Sequence, residues 1–454
     1  MSYIAIDIGA SSGRHIVCDV VNEKMELKEI YRFPNNPTRN NDGSLIWDIN
    51  YLFKEIKNGL KKAHELNIDV EYVGIDTWAV DYVLLDKDDK EIGEGYCYRD
   101  ERGKKASELV HKIIPFKELY SKTGIQFQPF NTIYQLYDDK LTNKIKDAQT
   151  MLMLPDYFDF KLTGIKKQEY TNATSTGLVN CLSHNWDVEI LDKLGINKNI
   201  LLPLSQPGSV VGKFSKEIEE ELGYSAIVLL PATHDTASAV IAAPIEIGDA
   251  YISSGTWSLL GVEEEKAHSD EKSMSVNYSN EGDLNYYFRY QKNIMGLWII
   301  QQVRHELNDA YSFGQLADMA RNNPTDKVID VNDESFLAPT SMIKAIEDKV
   351  GHLEIGELAY CVYNSLALSY KEALEELETL TNKKFNKLNI IGGGTNNILL
   401  NELTKEKLGI DIITGPTEGS AIGNFIMQLI ATGKLKDINE ARKLVTKSFE
   451  IKTY

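Results

Sequence analysis

The sequence repeats one local pattern, a strand, a glycine turn and a second strand, in each half of the chain. In the first half, strand patterns at 4–8 and 16–21 flank a glycine turn. In the second half, strand patterns at 250–253 and 257–262 flank Gly255. Apolar residues that alternate with period two predict strands, and a glycine between them predicts a hairpin. Each copy is followed by alternating helical and strand patterns, which predicts two α/β domains.

The two copies of the pattern meet near residues 242–248. We therefore predict one domain over 1–244 and a second over 245–454. A chain of 454 residues suits two large domains. No Pro- or Ser-rich linker separates the copies, so we expect closely packed domains with a ligand cleft between them.

The charge balance excludes several classes of partner. The chain has 67 acidic and 49 basic residues, a formal net charge of −18. Duplex nucleic acid and anionic membranes both require clustered positive charge, so neither is expected. No apolar run approaches the ~18 residues of a membrane span, and the N-terminus lacks the features of a signal peptide. The sequence predicts a cytoplasmic protein and indicates nothing about its oligomeric state.

The first glycine turn has two chemical interpretations besides an ordinary hairpin. Gly9-x-Ser11-x-Gly13 matches the nucleophile elbow of serine hydrolases, but that elbow requires a helix after the turn, and here a strand pattern follows. The turn also suits a phosphate loop, because backbone amides and the hydroxyls of Ser11 and Ser12 can converge on an anion. Asp7 could then hold Mg²⁺, which prefers oxygen ligands.

Three further segments combine small or polar residues with strand ends. Residues 253–258 form a second hydroxyl-rich turn, and Gly392-Gly393-Gly394 links a strand to a helix. A triple glycine permits close approach of the backbone to a nucleotide, although a flexible turn has the same composition. Asp235 follows a buried strand at 227–230, where it suits either a general base or an acidic residue favoured by a helix dipole.

Together these segments resemble the FGGY family of carbohydrate kinases, within the superfamily of actin, hexokinase and the heat-shock ATPases. The resemblance covers nearly the whole chain. It is carried by the strings DIGASSGR (7–14), IDTWAVDYVLLD (75–86), YRD (98–100), GIQFQPFNTIYQL (124–136), LPDYFDFKLTG (154–164), EYTNATSTGLVN (169–180), HDTASAVIAAP (234–244), YISSGTWSL (251–259), KNIMGLW (292–298) and the triple glycine. The resemblance implies two ribonuclease H-like domains of the actin/hexokinase type that flank an interdomain cleft.

The resemblance also assigns roles to residues. The first ATP phosphate loop is expected to comprise Ala10, Ser11, Ser12, Gly13 and Arg14. Further ATP contacts are expected at Thr256, Gln301 and Gly393. Sugar contacts are expected at Ala79, His234, Asp235, Thr236 and Asn293, with Asp235 as the proton acceptor. The expected cofactors are ATP and Mg²⁺, with Asp7 as the metal ligand.

The implied reaction is ATP-dependent phosphorylation of L-rhamnulose at O1. Another ketose, such as L-fuculose or L-xylulose, is the nearest alternative, and a nonenzymatic ATP-driven switch is a more distant one. Ala79 departs from the glycine of the family member compared, which affects sugar preference rather than reaction class. Trp78 suits a stacking platform or core packing, and Asp81 suits a sugar-hydroxyl acceptor or a hydrogen-bonded strand end.

Overall fold

The computed structural model describes residues 2–337 and 339–454, and the chain divides into two compact units. The first unit comprises Met1–Ala242, Glu264–Tyr290 and Ser420–Ser448. The second unit comprises Ala243–Glu263, Gln291–Gly419 and Phe449–Tyr454. The main break falls where the sequence pattern restarts, but two later segments belong to the first unit. The domain boundary at 244/245 therefore stays a prediction.

The described residues contain short strands and a mixture of short and long helices. The strands are β1 (Ser2–Ile8), β2 (Ser12–Val21), β3 (Lys24–Pro34), β4 (Thr38–Arg39), β5 (Leu45–Trp47), β6 (Val70–Thr77), β7 (Tyr82–Leu85), β8 (Gly95–Tyr96), β9 (Thr150–Met153), β10 (Gln168–Glu169), β11 (Val179–Asn180), β12 (Asn185–Trp186), β13 (Leu204–Ser205), β14 (Val210–Lys213), β15 (Ile227–Leu229), β16 (Ala250–Ser254), β17 (Trp257–Glu264), β18 (Ser279–Gly282), β19 (Phe288–Met295), β20 (Lys387–Ile391), β21 (Asp411–Thr414) and β22 (Lys452–Thr453).

The helices follow the same chain order. They are α1 (Ile49–Glu65), α2 (Arg102–Ile113), α3 (Phe116–Thr123), α4 (Thr132–Leu141), α5 (Leu154–Thr163), α6 (Tyr170–Thr174), α7 (Val188–Leu194), α8 (Lys216–Leu222), α9 (Asp235–Ala242), α10 (Glu271–Ser275), α11 (Trp298–Glu306), α12 (Phe313–Asn322), α13 (Met342–Val350), α14 (Ile355–Thr381), α15 (Ile398–Leu408), α16 (Gly419–Ala431) and α17 (Ile438–Ser448). Short 3₁₀ turns lie at Lys144–Asp147, Lys198–Ile200, Leu284–Tyr286, Glu334–Phe336 and Gly393–Asn396. Within residues 2–337 and 339–454, no helix is long and apolar enough to cross a membrane.

The main sheet of the first unit has β1 near its centre. Its strand order is β14-β15-β6-β1-β2-β3. The predicted hairpin is confirmed, because β1 pairs antiparallel with β2 and β2 with β3. On its other side β1 pairs parallel with β6. Both β1 and β6 are largely buried, as continuous apolar strands of a sheet covered on both faces should be.

The apolar residues after residue 50 recur at helical spacing, and this segment forms helix α1. The side chain of Asp48 accepts a hydrogen bond from the backbone N–H of Tyr51 and so caps the helix. The buried face includes Leu52, Ile56 and Leu60, which recur at helical spacing. This face packs into the same hydrophobic cluster as strands β1 and β6.

The sheet of the second unit repeats the topology of the first. Its neighbouring strands have the order β19-β17-β16-β20-β21-β22. Strand β16 pairs antiparallel with β17 and parallel with β20, as β1 does with β2 and β6. The same arrangement from two separate stretches of sequence confirms the predicted internal repeat.

The spacing of apolar residues at 295–307 predicts a helix over that range, but helix α11 begins only at Trp298. Met295 is instead the last residue of β19. Gly296 explains the later start. A Cβ at this position would lie 2.6 Å from the carbonyl carbon of Trp257, so the chain must pass the β16–β17 turn before the helix starts.

Helix α16 makes a close backbone contact within the first unit. An added Cβ at Gly423 would lie 1.7 Å from the carbonyl oxygen of Ser238. Two residues of the same helix anchor it to the central sheet. The side-chain amide of Asn424 donates to the Gly74 carbonyl at 3.0 Å, and that of Gln428 donates to the Ile4 carbonyl at 3.0 Å.

We predict that Gly423→Ala destabilises the protein by about 1–3 kcal/mol, because the obstructing atom belongs to the backbone and cannot rotate away. Urea unfolding measures the effect. The matched control is Gly314→Ala in helix α12, where the nearest heavy atom to an added Cβ is 3.9 Å away. That control should be neutral or stabilising by up to ~1 kcal/mol. Equal unfolding midpoints for the two variants would contradict the close contact.

Candidate functional site

The first predicted phosphate loop is a tight turn between β1 and β2. The backbone N–H of Gly9 donates to the carbonyl of Ser12 at 2.9 Å and closes the turn. Asp7 and Arg14 are partners in the strand register, and the Arg14 guanidinium donates to Asp7 Oδ2 from Nε at 3.1 Å and from Nη2 at 2.9 Å. The loop is therefore flanked by one closely paired cation and anion.

Asn35 supports this turn from the following segment of chain. Its side-chain amide donates to the carbonyl of Gly9 at 2.8 Å, and its backbone N–H donates to the carbonyl of Ser11 at 3.0 Å. Asn35 itself is buried. The sequence analysis did not identify it, because it lies beyond β3 and carries no motif of its own.

A second carboxyl group lies beside Asp7 on the neighbouring strand. In the parallel register of β1 and β6, Asp7 pairs with Asp76. Asp76 is fully buried, and its Oδ2 accepts a hydrogen bond from the Asn424 side chain at 2.6 Å. Burial raises the pKa of Asp76 well above its ordinary value, and the charges of Asp7 and Asp235 raise it further. The sequence contained a signal for this residue, an Asp directly after the apolar stretch Val73-Gly74-Ile75.

Helix α9 begins at Asp235, shortly after β15, the strand that pairs parallel with β6 on its other side. His234 precedes the helix, and Thr236 is its second residue. Thr77 forms a parallel bridge with His234, which brings the start of the helix beside the end of β6. The Asp235 side chain is about 30% exposed, and its Oδ1 accepts the backbone N–H of Thr236 at 2.6 Å. Burial raises the pKa of Asp235; the neighbouring His234 opposes this, and Asp7 adds to it. The result is a carboxyl group that is both accessible and unusually basic.

The Trp78–Asp81 segment is tightly fixed. Asp81 is buried, and its Oδ2 accepts from the indole N–H groups of Trp47 at 2.7 Å and Trp78 at 2.9 Å, and from the backbone N–H of Tyr98 at 3.0 Å. Burial raises the pKa of Asp81 to about 6. These contacts agree with the interpretation of Asp81 as a hydrogen-bonded strand end, and its predicted contact with sugar stays a prediction.

Between these two residues the backbone turns sharply. Ala79 is half-buried, whereas Trp78 is only 6% exposed. The Trp78 ring packs against that of Trp47 in a tilted arrangement, with the ring centroids 4.3 Å apart. Val80 has a φ of +69°, which is rare for a β-branched side chain. Its carbonyl accepts the Thr132 hydroxyl at 2.6 Å, which helps hold this conformation. Ala79 is thus the more accessible residue on a rigid turn.

In the second unit, the β16–β17 turn is held through the backbone of Thr256. The carbonyl of Thr256 accepts from the N–H groups of Gly296 at 3.1 Å and Trp298 at 3.2 Å. The triple glycine packs against the same hairpin. An added Cβ at Gly394 would lie 2.0 Å from the Ser254 hydroxyl, whereas one at Gly393 would meet no atom within 4 Å. Gly393 is exposed, so this position leaves space for a ligand.

The other two predicted contacts in the second unit are half-buried. Asn293 lies on β19, and its side-chain Oδ1 is buried without a hydrogen-bond partner among the described residues. A buried acceptor without a donor is unfavourable, so this atom is available to a ligand hydroxyl. Gln301 lies on helix α11. The predicted site residues are therefore divided, with Asp7, 10–14, 78–81 and 234–236 in the first unit and Asn293, Thr256, Gln301 and Gly393 in the second.

A buried ion pair that the sequence analysis missed lies behind His234. Glu281 on β18 and Arg289 on β19 join through Arg289 Nη2 and Glu281 Oε2, 3.1 Å apart. The same carboxylate oxygen is 3.1 Å from His234 Nδ1. Glu281 and Arg289 carry opposite charges on either side of a short turn, so an ion pair between them could have been predicted from the sequence. Their position next to His234 could not.

No group of three or more His, Cys, Asp or Glu side chains among residues 2–337 and 339–454 is arranged to hold a metal ion alone. Mg²⁺ in phosphoryl-transfer sites is bound by only one or two carboxylates together with substrate phosphates and water. The carboxylate of Asp7, beside the β1–β2 turn and next to Asp76 on β6, fits that limited requirement.

The two units share the strand order described above, and in each a hairpin turn of small residues follows the first strand. This fold is that of the actin and hexokinase class. Comparison with known proteins gives the family. The FGGY family of carbohydrate kinases matches through its N-terminal domain at residues 2–242 and its C-terminal domain at 250–432. The chain belongs to the FGGY family of carbohydrate kinases.

Relatives at moderate identity align along the whole chain. A protein named rhamnulokinase from Halalkalibacterium halodurans is 47% identical over 463 aligned residues, covering 100% of this chain and 99% of the relative. A second protein named rhamnulokinase, from Bacillus subtilis, is 43% identical, and the alignment covers 100% of this chain and 95% of that relative.

Solved structures share the fold. A ligand-bound xylulose kinase from Lactobacillus acidophilus has a TM-score of 0.83 at 19% identity, covering 99% of this chain and 93% of that one. A Plasmodium falciparum glycerol kinase with ADP has a TM-score of 0.78 at 15% identity, and the match covers 99% of this chain and 93% of that one. The predicted fold class is confirmed.

We predict that Asp76→Asn stabilises the protein more at pH 8 than at pH 5. A carboxyl whose pKa is raised on folding favours the folded state at low pH and loses that contribution as pH rises above its unfolded value. The neutral amide does not ionise, so the variant avoids this loss of stability. Its free energy of unfolding relative to the unmodified protein should therefore rise by on the order of 1 kcal/mol between pH 5 and pH 8. Urea unfolding at both pH values measures it.

The control for this prediction is Asp88→Asn. Its side chain is 57% exposed, so stability should change by no more than ~0.5 kcal/mol at either pH. An advantage of Asp76→Asn that shrinks as the pH rises would show that burial does not dominate the ionisation of Asp76.

Proposed function

We propose that this FGGY kinase transfers the γ-phosphoryl group of ATP to O1 of L-rhamnulose, giving L-rhamnulose 1-phosphate and ADP in L-rhamnose catabolism. The observation that carries the substrate assignment is full-length similarity, at 38–47% identity, to seven relatives that are each named rhamnulokinase. The proposal includes the cytoplasmic location expected for the chain. The geometry of the first unit supports the chemical roles.

Asp235 is the proposed general base. Phosphoryl transfer requires little covalent help from the protein, but the attacking hydroxyl must lose its proton as the bond to phosphorus forms. A carboxylate with a raised pKa accepts that proton more readily than an ordinary one. The N–H of Thr236 holds Oδ1, and about 30% of the side chain remains accessible to a sugar hydroxyl.

The remaining sugar contacts are proposed from their accessibility and unmet hydrogen-bonding capacity. His234 and Thr236 adjoin the base, and Asn293 presents a buried oxygen without a donor. Ala79 presents its methyl group on a turn that Trp78 and Asp81 hold in place. On this proposal Trp78 and Asp81 act partly by shaping the sugar pocket.

The nucleotide contacts are proposed at the two hairpin turns and at Gly393. In the first unit Ala10, Ser11, Ser12, Gly13 and Arg14 would contact phosphates, and in the second unit Thr256, Gln301 and Gly393 would contact ATP. Asp7 would hold Mg²⁺, which neutralises charge on the phosphates and helps orient them. Backbone dipoles fixed in such turns stabilise an anion without having to reorganise.

Kinase activity on another ketose is the main alternative, because this chain has Ala79 in the substrate turn where the family member compared has glycine. A nonenzymatic ATP-driven switch is less well supported. A switch has no need of a basic carboxyl on an accessible helix start, or of a side-chain oxygen left without a donor at Asn293.

We predict that Asp235→Asn lowers phosphoryl transfer by at least ~10², because an amide cannot accept the hydroxyl proton. The Thr236 N–H can still donate to the amide oxygen, so the local fold should persist. Coupled release of ADP measures turnover, and calorimetry with a nonhydrolysable ATP analogue measures nucleotide affinity, which should be retained.

The matched control is Asp48→Asn, a conservative change at the N-cap of helix α1, which should leave turnover near normal. Near-normal turnover of Asp235→Asn would remove Asp235 from the role of base.

We predict that L-rhamnulose gives the highest kcat/KM in a panel with L-fuculose and L-xylulose, and that phosphorus NMR places the product phosphate on O1. Ala79→Gly should change the discrimination between ketoses by up to ~10-fold, the effect of about one methyl group, with a smaller change in kcat. Preference for another ketose would reassign the substrate. ATP turnover that no ketose stimulates would favour the switch.

A further inference from the structure

The loop that leads from β15 into helix α9 contains a fully buried residue, Thr233, two positions before Asp235. The carbonyl of Thr233 accepts the backbone N–H of Thr77 at 2.9 Å. It also accepts the side-chain amide of Asn172 at 3.3 Å. The backbone just before Asp235 is therefore attached to β6 through Thr77 and to helix α6 through Asn172.

Glu169, the last residue of β10, holds the remaining polar groups of Thr233. Glu169 Oε2 accepts the backbone N–H of Thr233 at 3.1 Å and the Thr233 hydroxyl at 2.8 Å. Glu169 is itself fully buried. Every polar group of Thr233 thus has a hydrogen-bond partner, and one carboxylate supplies two of these bonds.

The role of Glu169 as a helix cap does not account for these two bonds. Its side chain caps helix α6 by accepting the backbone N–H groups of Thr171 at 2.6 Å and Asn172 at 3.1 Å. A cap requires only contacts within its own helix, and Ser, Thr, Asp and Asn are the residues preferred there. Thr233 is 64 positions away along the chain. Glu169 therefore joins the start of α6 to the loop before α9.

The residues that follow Thr233 have hydrogen bonds of their own. The backbone N–H of Ser238 donates to the carbonyl of His234 at 3.0 Å, and the Ser238 hydroxyl donates to the carbonyl of Ala232 at 2.7 Å. These bonds connect the two ends of the turn over residues 232–238. A displacement of Thr233 should therefore move Asp235 with it.

We propose that Glu169 is a positioning residue that sets the location of the base Asp235 through its two hydrogen bonds to Thr233. This inference rests on the proposed function and adds a buried residue that acts only through the protein. A base must lie within hydrogen-bond reach of the hydroxyl whose proton it accepts. A misplacement of about 1 Å can lower the rate of reaction by ~10²-fold. The anchoring of Thr233 is therefore expected to affect turnover more than binding.

The first test measures amide hydrogen exchange over residues 230–238 by mass spectrometry and needs neither ATP nor sugar. In Glu169→Ala the N–H of Thr233 loses its acceptor, so exchange in this segment should accelerate by ~10-fold or more. Exchange at the unmodified rate would overturn the proposal.

The matched control for exchange is Asp187→Ala. Asp187 is also a buried carboxylate that caps a helix of the first unit, because it accepts the backbone N–H of Ile190 at the start of α7. This variant should leave exchange over residues 230–238 unchanged. Equal acceleration in the two variants would overturn the proposal, because the effect would then not depend on the bonds to Thr233.

The second test measures the kcat of Glu169→Ala with the ketose that the unmodified protein prefers. We expect kcat to fall by ~10-fold or more, with a smaller change in ketose KM. In an Asp235→Asn background the same change should alter the remaining kcat by less than ~2-fold, because both residues act through one base. Asp187→Ala should retain normal kcat. An equal proportional loss in both backgrounds would show that Glu169 does not act through Asp235.

Thr233→Val tests the same link if Glu169→Ala fails to fold. Valine removes the hydroxyl that donates to Glu169 and keeps a branched side chain of similar size. We expect kcat to fall by ~3-fold or more. Thr233→Ser, which restores the hydroxyl, should recover most of that loss. Equal kcat values for the valine and serine variants would overturn the proposal.

The Asp235→Asn variant separates failure of this inference from failure of the proposed function. Near-normal turnover of Asp235→Asn would remove the base and, with it, the role of Glu169. Loss of turnover in Asp235→Asn together with normal kcat in Glu169→Ala would overturn the positioning role alone.

Discussion

The parallel pairing of β1 with β6 is the constraint on which the site of the first unit depends. It sets Asp7 beside Asp76 and Ile8 beside Thr77, and Thr77 then bridges to His234 at the start of helix α9. Neighbouring strands lie only about 4.8 Å apart, so carboxylates at the same register are necessarily close. A slip of one residue in either strand would turn its side chains to the other face of the sheet and separate Asp7 from Asp76.

The second unit shares this strand order but has different residues at its strand ends. Its hairpin turn carries no ion pair like that of Asp7 and Arg14; instead, the triple glycine packs against the β16 strand end so closely that Gly392 and Gly394 have no room for a Cβ. Gly393 alone faces open space. One topology therefore supplies a charged turn in one unit and a backbone surface in the other, and the difference lies in a few residues at the strand ends.

Features encoded by neighbouring residues were predictable, whereas features encoded by distant pairs were not. The repeated hairpins and helix α1 follow from local periodicity, and the Asp48 cap follows from local chemistry. The hydrogen bond between Asp76 and Asn424 joins residues 348 positions apart, so no local sequence pattern predicts it. Asp81 was ambiguous for a different reason, because a carboxylate that accepts indole N–H groups and one that accepts sugar hydroxyls look the same in a sequence.

In the proposed function, the placement of negative charge allows an acidic chain both to activate a sugar hydroxyl and to receive a polyanion. Burial and the charge of Asp7 raise the basicity of Asp235, which favours uptake of the hydroxyl proton. Left alone, the same carboxylates would repel the incoming phosphates. The Arg14 guanidinium, paired with Asp7 at 2.9 Å, offsets that repulsion on the phosphate side of the turn. The hydrogen bonds from Thr236 lower the pKa of Asp235 and so offset part of the rise that burial causes.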